Sequence, residues 1–256
     1  MLVLLPPSET KRPGGTSPPL DLDRLALPVL GPQRRSALDA LIELSRDPAE
    51  AARVLGLSPR QLGEIEVNAA LDVSPTMAAI DRYTGVLYDA LAADTLGSAA
   101  RRWLGAHVMI HSAPLGPVSA LDRIPAYRLG AAASIPSLGP LRRHWAAAVT
   151  AALAASGAPF VLDLRSEAYA ALGPVPSTIP SVYLRVVTAT GDDGAVRALN
   201  HFNKHAKGVL TRLLADDRPR IRSAAGFARW ADAAGVEVRP GNDGVWTLVE
   251  GKSGVT

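Results

Sequence analysis

The feature that most constrains the fold is a repeated arrangement in which a short apolar run ends in polar residues. Residues 2–5 lead into the polar segment 8–12, residues 107–112 end beside His111, and residues 159–164 precede the polar segment 165–169. Nearly continuous apolar runs of this length are typical of strands buried on both faces of a sheet. In α/β proteins, ligand sites collect beyond the carboxyl ends of such strands.

Helical and hairpin patterns complete the predicted fold. Residues 141–155 and 221–234 have helical character, and two Gly-Asp- or Gly-Asn-containing turns indicate hairpins. Residues 182–190 and 195–200 flank the turn at 191–194, and residues 236–239 and 245–249 flank the turn at 241–244. With 256 residues and 48% apolar composition, the chain can bury one large core. We therefore predict an α/β (α+β) fold, a single domain over residues 1–256, with a mixed sheet flanked by helices.

Composition excludes several classes of chemistry. The chain has no cysteine, so disulfides, thiolate nucleophiles and cysteine-based metal sites are impossible. It also lacks the glycine-rich phosphate loops, the HExxH pattern and the GxSxG pattern. His201 and His205 stand one helical turn apart, but a stable metal site usually needs a third protein ligand. We expect no metal and no cofactor.

The expected location is the cytoplasm, because the apolar run at the start is cut off by Pro6 and Pro7 and no stretch approaches the length of a membrane span. We expect no membrane partner and a monomer. A net charge of +3 permits a polyanionic partner without requiring one. Lysine is rare, which suggests that the lysines that remain are needed as lysine: Lys11, Lys204, Lys207 and Lys252.

A turn near Gly56 has two interpretations. Residues 38–45 keep helical spacing, a second helix is predicted after Ser58 and Pro59, and the sequence Leu-Gly-Leu-Ser lies between them. This pattern over residues 36–70 is similar to a helix-hairpin-helix, whose turn can hold a DNA phosphate without reading sequence. An ordinary pair of helices with a glycine cap would have the same pattern.

The segment 201–214 is predicted to be a helix with two distinct faces. Lys204, Lys207 and Thr211 fall on one face, and the opposite face is apolar. We expect the apolar face to pack and the lysines to meet either a ligand or solvent. The apolar residues are Ala206, Val209, Leu210 and Leu213.

Six short motifs, taken in order, resemble the YaaA family of peroxide-stress proteins over nearly the whole chain. In this sequence they are Leu-Val-Leu-Leu-Pro-Pro-Ser-Glu-Thr-Lys at 2–11, Asp-Arg-Tyr-Thr-Gly-Val-Leu-Tyr at 81–88, His-Ser-Ala-Pro-Leu-Gly at 111–116, Ala-Tyr-Arg-Leu at 126–129, Leu-Asp-Leu-Arg-Ser-Glu-Ala-Tyr at 162–169 and Asn-Lys-His-Ala-Lys-Gly-Val-Leu-Thr-Arg at 203–212. In the same order, they resemble the family's opening strand with its Ser/Ala-Lys-Thr loop, Gly-Asp-Val-Tyr-Thr-Gly, Ser-Gly-Leu-Tyr-Gly, Pro-Tyr-Arg-Leu, Asn-Leu-Ala-Ser-x-Glu-Tyr and Lys-x-x-Arg-Gly-x-x-x-x-Arg. Two positions depart from the family. Glu9 replaces its first lysine, with Lys11 as a substitute, and Pro114-Leu115 stand where a tyrosine is expected.

The resemblance implies one α/β domain of unusual topology, a helix-hairpin-helix element and a basic cleft for duplex or branched DNA. It also implies a physiological effect, which is less free iron and less DNA damage by peroxide. A cleft with several cationic groups would bind DNA with steep salt dependence and little base specificity. The residues predicted to bind DNA phosphate or another ligand are Ser8, Lys11, Arg12, Gly56, Tyr83, Tyr88, Arg128, Ser166, Tyr169, Asn203, Lys204, Lys207 and Arg212.

Two other interpretations remain open from the residues. In one, the protein is an enzyme acting on a nucleotide or another phosphorylated small molecule, because clustered tyrosines, lysines and arginines often mark a pocket. Lys11 or Lys204 would then be the nucleophile or electrostatic stabiliser, and Glu9 or Glu167 the acid/base. In the other, the polar cluster is a buried structural network.

Overall fold

The computed structural model, which describes residues 1–188 and 196–250, is built around one mixed sheet of seven strands. Two further pairs of short strands lie outside this sheet. In chain order the strands are β1 (Leu2–Leu5), β2 (Met77–Ala78), β3 (Val108–Ser112), β4 (Gly116–Ser119), β5 (Arg123–Ile124), β6 (Ser134–Ile135), β7 (Gly139–Pro140), β8 (Val161–Asp163), β9 (Ser181–Thr188), β10 (Val238–Arg239) and β11 (Val245–Glu250).

Helices cover the sheet and connect its strands. In the described ranges they are α1 (Gly31–Leu44), α2 (Pro48–Leu55), α3 (Gly63–Ala69), α4 (Ala79–Arg82), α5 (Val86–Leu91), α6 (Ser98–His107), α7 (Leu141–Ala154), α8 (Glu167–Ala170), α9 (Val196–Asp217) and α10 (Ala224–Ala233). Short 3-10 turns occupy Leu22–Arg24, Pro28–Leu30, Pro59–Gln61, Ala93–Thr95 and Asn242–Gly244. Within residues 1–188 and 196–250, no helix has the length and apolar character needed to cross a membrane.

The centre of the sheet is parallel and its two edges are antiparallel. The strand order is β10-β11-β9-β8-β1-β3-β4, and β4 and β10 run opposite to their neighbours. Every residue of β1 is buried, and Val3 lies opposite Leu162 on one side and Val108 on the other. The chain passes from β1 to β3 on one side and later to β8 on the other. This reversal next to β1 opens a crevice at the carboxyl ends of the strands, where α/β proteins commonly bind ligands.

The predicted mixed α/β sheet is confirmed, and so are its main local elements. The apolar runs form β1, β3 and β8, and the long helix predicted at 141–155 is α7. The hairpin around 241–244 is also present, with β10 antiparallel to β11. These elements were predictable because continuous apolar runs and turn residues act locally.

The hairpin predicted around 191–194 is wrong in its second arm. The first arm is β9, but residues 196–200 begin α9, a helix that continues to Asp217. The turn at 191–194 itself lies outside the described residues. The six-residue pattern that predicted a strand is weak beside the cooperative extension of a long helix with periodic apolar residues.

The faces predicted for α9 are wrong in part. Lys207 and Thr211 are buried, whereas Val209 is 37% exposed. Gly208 explains the difference, because it brings α9 against α5: a Cβ on Gly208 would stand 2.2 Å from the carbonyl oxygen of Leu87. The close approach buries Lys207 and Thr211, whereas Lys204 is exposed and Ala206 and Leu210 are buried, as predicted.

Candidate functional site

The segment that follows β1 is fixed against a distant part of the chain. Tyr88 donates its hydroxyl hydrogen to the carbonyl oxygen of Pro6 at 2.7 Å. Lys11 and Tyr83 form an isolated antiparallel bridge between their backbones. The loop after β1 therefore has a defined position above the carboxyl ends of the strands.

Lys11 extends from this loop over two tyrosine rings. Its Nζ donates to the carbonyl oxygens of Ser8 at 3.0 Å and Glu9 at 3.3 Å. The same atom lies 4.0 Å from the ring centroid of Tyr127 and 5.5 Å from that of Tyr83. Carbonyl oxygens and aromatic faces both attract a cation, so this position holds the amine in one place.

Burial nevertheless favours the neutral form of this amine. Desolvation is the largest cause that lowers the pKa of Lys11 to about 7, and the nearby Arg128 lowers it further. The carboxylates of Glu64 and Glu9 oppose the shift without cancelling it. Near neutral pH a large share of Lys11 is therefore an uncharged amine, which is both a hydrogen-bond donor and a nucleophile.

A cluster of neutral tyrosines forms the floor beneath Lys11. The hydroxyls of Tyr83 and Tyr127 are 2.8 Å apart, and the rings of Tyr83 and Tyr88 have centroids 5.2 Å apart. Burial raises the pKa of Tyr83, Tyr88, Tyr127 and Tyr169 above the ordinary value. Each phenol therefore stays protonated and acts as a hydrogen-bonding group rather than as an anion.

A buried ion pair stands beside the tyrosines at the end of β8. Arg165 holds both carboxylate oxygens of Asp163, from Nε to Oδ1 at 2.9 Å and from Nη2 to Oδ2 at 2.7 Å. Its Nη1 donates to Nδ1 of His111 at 2.9 Å, since a guanidinium can only donate. Burial and Arg165 lower the pKa of His111, so the ring is neutral and its proton lies on Nε2, an atom with no hydrogen-bond partner among the described residues.

The tyrosine cluster and the ion pair are neighbours. The rings of His111 and Tyr169 have centroids 6.0 Å apart. Tyr169 is in turn close enough to Glu9 and Arg128 for their charges to affect its pKa. One continuous polar network therefore covers the carboxyl ends of β1, β3 and β8.

A cleft of about 270 Å³ opens beside Lys11. One wall comes from the loop after β1 and from the segment around Tyr127, and the other from the turn between α2 and α3 with the start of α3. The lining is amphipathic and carries both signs of charge. Its residues are Glu9, Lys11, Pro13, Arg60, Gln61, Gly63, Glu64, Val67, Ala126 and Tyr127.

Hydrogen bonds fix the two walls relative to each other. The buried side-chain amide of Asn68 on α3 accepts from the backbone NH of Arg128 and donates to its carbonyl oxygen, both at 2.8 Å. The guanidinium of Arg128 then reaches Glu9 at 3.3 Å. The Arg128 side chain is only 18% exposed, whereas that of Glu9 is 82% exposed, so Glu9 can move away without unfolding anything.

The turn between α2 and α3 is rigidly capped. The side chain of Asp47 accepts from two amides at the start of α2, and Gly56 ends that helix in the left-handed conformation with φ at 63°. Ser58 and Gln61 form a reciprocal cap that tightens the following turn. The turn predicted at Gly56 is therefore present, but the helix that leads into it is α2 and not the helix containing residues 38–44.

A second cleft, of about 430 Å³, lies between α1 and α7. Gln33, Arg143 and His144 line it, and His144 Nε2 bonds to the carbonyl oxygen of Gln33 at 2.9 Å. It is larger, but none of the polar network at the strand ends reaches it. We therefore place the candidate site in the smaller cleft.

Comparison with known proteins agrees with the resemblance of the motifs. A family described as Peroxide stress protein YaaA matches residues 1–238. The chain belongs to the YaaA family. A UPF0246 protein of Corynebacterium efficiens is 43% identical over 255 residues, which cover 97% of this chain and 100% of that protein. A UPF0246 protein of Streptomyces coelicolor is 41% identical over 220 residues, or 84% and 82% of the two chains, and one of Bordetella pertussis is 27% identical over 206 residues, or 76% and 79%.

In this YaaA-family structure, several of the predicted residues meet at the cleft. Lys11 and Glu9 line it, Arg128 lies next to Glu9, and Tyr83 lies beneath Lys11. Ser8 contributes its carbonyl oxygen to Lys11, and Tyr88 and Tyr169 belong to the surrounding tyrosine cluster. Lys11 rather than Glu9 is the residue of this loop that lies against the tyrosines. The exposed Arg12 is adjacent, and its carbonyl oxygen accepts from Arg82.

Other predicted residues lie away from the cleft lining. Lys204 is exposed on α9, where Asn203 is half-buried, and Glu167 forms an exposed ion pair with Arg185 next to Ser166. Gly56 belongs to the turn but does not line the cleft. Lys207 is buried near Asp163, where burial lowers its pKa to about 8. Arg212 binds the carbonyl oxygens of Leu91 and Ala92, so it attaches α9 to the end of α5.

Asp163, Arg165 and His111 belong to the site although the sequence pattern did not predict them as site residues. Their sequence spacing could have predicted a pair, because Asp163 and Arg165 stand two residues apart at the end of an apolar strand, and such residues point to the same side. Tyr127 was noticed only as part of a motif. Its importance comes from contact with Lys11 and Tyr83, which lie far away in the sequence.

Proposed function

We propose that the protein is a cytoplasmic, monomeric peroxide-stress protein that binds DNA without sequence preference. In this proposal, phosphates enter the cleft between the loop after β1 and the turn between α2 and α3. The observation that carries it is that Lys11 and Arg60, from separate segments of the chain, line the same cleft. Arg128 stands behind them as a third group. A phosphate bound beside Lys11 would favour the charged form of its amine, so all three would then be cationic.

The turn at Gly56 would serve as the helix-hairpin-helix element. Arg53 and Arg60 are exposed on its two sides, and Arg53 has only a surface ion pair with Glu50. Apart from the glycine's own chain neighbours and helix backbone, no atom of the described residues lies within 4 Å of the place where a Cβ on Gly56 or Gly63 would stand. A sugar-phosphate backbone could therefore approach this surface closely and meet arginines on either side.

The acidic residues of the cleft are compatible with this proposal. Glu9 is the exposed partner of Arg128, and a phosphate could replace it because Arg binds both groups in the same forked geometry. Bound DNA would be shielded from damage, and the proposed outcome in peroxide-treated cells is fewer DNA lesions with less free iron. Family membership supports the role in peroxide stress.

The test is the affinity for duplex DNA of mixed sequence as a function of salt concentration. We expect the logarithm of the binding constant to fall linearly with the logarithm of salt, with a slope near −0.9 for each phosphate contacted. A slope of about −2 to −4 would fit the three cationic groups of the cleft and the neighbouring arginines. No binding at low ionic strength would exclude the proposal.

A second candidate function is an enzyme acting on a nucleotide or another phosphorylated small molecule. The observation that favours it is the burial of Lys11 against Tyr127 and Tyr83, which is a pocket-like environment at the strand ends. Of the four predicted catalytic residues, Glu9 and Lys11 line the cleft, whereas Glu167 and Lys204 lie elsewhere. Thermal-shift measurements with nucleotides would test it, and DNA binding without stabilisation by any nucleotide would remove it.

A further inference from the structure

We propose that the amine of Lys11 forms an imine with the aldehyde of a sugar phosphate bound in the cleft. Two sources can supply this chemistry: an abasic nucleotide within DNA, or a free sugar phosphate. If the aldehyde belongs to an abasic nucleotide in DNA, the inference rests on the DNA binding proposed above. If it belongs to a free sugar phosphate, the inference is independent of DNA binding. Primary amines are the protein groups that condense with carbonyl compounds, and Lys11 is the lysine that lines this cleft among the described residues.

The position of Nζ suits this reaction. Two backbone carbonyl oxygens, those of Ser8 and Glu9, hold the amine by its hydrogens. The ring centroid of Tyr127 lies 4.0 Å from Nζ, so the ring packs against the amine on one side. Lys11 lines the open cleft, and a neutral amine that donates both of its hydrogens in this way keeps its lone pair for a carbonyl carbon.

The protonation state supports the same step. Burial, with Arg128, lowers the pKa of Lys11 to about 7, so the nucleophilic form is abundant near neutral pH. An exposed lysine would be almost entirely protonated there. The charged groups that face Lys11 are Arg128, Arg82, Glu64 and Glu9.

The cleft also offers groups for the rest of the ligand. Arg60 lines it and Arg128 stands beside it, and both can hold a phosphate through two hydrogen bonds. Glu64 is half-buried on the opposite wall and can pass protons through water. A volume of about 270 Å³ matches a sugar phosphate better than a complete nucleotide.

The proposed step is balanced without any oxidant or reductant. The Nζ lone pair attacks the aldehyde carbon, a C–N bond forms, and the carbonyl oxygen takes up a proton to give a carbinolamine. The nitrogen then loses one proton, the hydroxyl takes up a proton, the C–O bond breaks and water leaves. The resulting iminium loses the second N–H proton to give the imine. Amine and aldehyde thus become imine and water, and Glu64 is placed to relay the protons.

The experiment traps the imine with sodium borohydride, whose hydride converts the C=N bond to a stable secondary amine. The purified full chain is incubated with a duplex containing one abasic site, with the same duplex undamaged, or with free 2-deoxyribose 5-phosphate. Peptide mass spectrometry then locates the adduct. We expect it on Lys11, with no adduct from the undamaged duplex and with a rate that rises between about pH 6 and pH 8.

Substitutions test whether Lys11 is the reacting amine without relying on the position of the adduct found by mass spectrometry. Lys11→Arg keeps the positive charge and removes the primary amine, so adduct formation should fall at least about tenfold. Lys204→Arg, at an exposed lysine of α9, should leave it unchanged. If Lys11→Arg does not fold, the mapped position on the wild-type chain still decides.

The outcomes separate this inference from the proposed function. An adduct with either probe at Lys11 supports the inference and identifies the source. No adduct, or adducts only on other amines, overturns it. DNA affinity is measured in parallel: binding without an adduct leaves the proposed function intact, and an adduct with the free sugar phosphate without DNA binding overturns only the DNA function.

Discussion

Replacement of Arg165 by methionine is expected to destabilise the protein by about 3–5 kcal/mol. Arg165 is fully buried, and it supplies two hydrogen bonds to the carboxylate of Asp163 and one to His111. Methionine would leave a charge without a partner in an interior that cannot solvate it. The free energy of unfolding, measured with urea, checks this expectation.

The matched control is Arg185→Met. Arg185 also pairs with a carboxylate, that of Glu167 at 3.0 Å, but the two side chains are 58% and 78% exposed. Water replaces such a pair easily, so the expected cost is about 0–1 kcal/mol. Equal losses from the two substitutions would show that the pair at the strand ends is not buried as described.

Replacement of Gly208 by alanine is expected to destabilise the protein by about 1–3 kcal/mol, or more, although alanine favours helices. The added Cβ would stand 2.2 Å from the carbonyl oxygen of Leu87 and 2.8 Å from the Cβ of Ala90. A backbone carbonyl cannot swing away as a side chain can, so α9 must separate from α5. Thermal and urea unfolding both measure the loss.

Gly226→Ala is the control for this substitution. Gly226 lies in α10, and the nearest atom to an added Cβ is Oγ of Ser223 at 3.4 Å, an ordinary contact. Alanine should therefore be tolerated and can add up to about 1 kcal/mol of stability through helix propensity. If Gly208→Ala is as well tolerated as Gly226→Ala, the close contact between α9 and α5 is not real.

Much of the fold could be predicted because the signals are local. The apolar runs at residues 2–5 and 159–164 predicted strands buried on both faces, and β1 and β8 are central strands of the sheet. The polar residues after those strands predicted a site at the carboxyl edge, and Lys11 lies there. Each of these predictions needed only neighbouring residues.

The remaining features depend on contacts between distant segments. Lys207 was predicted to face outward from helix spacing alone, but the approach permitted by Gly208 turns it inward. The hydrogen bond between Arg165 and His111 depends on the order of β3, β1 and β8 in the sheet, and no local sequence pattern predicts that order. The cleft likewise needs α3 and the Arg128 segment to meet, and the hydrogen bonds of Asn68 that join them link residues far apart in the sequence.

The most direct test of the central claim, that the cleft beside Lys11 holds DNA phosphates, is the duplex affinity of three charge variants at one low salt concentration. Arg60→Glu changes a residue that lines the cleft, Arg239→Glu changes net charge equally on the edge strand β10, and Glu9→Gln removes the carboxylate that competes for Arg128. We predict about tenfold weaker binding for Arg60→Glu, little change for Arg239→Glu and tighter binding for Glu9→Gln. Equal weakening by the two arginine variants would contradict the claim, because DNA would then respond to net charge and not to this cleft.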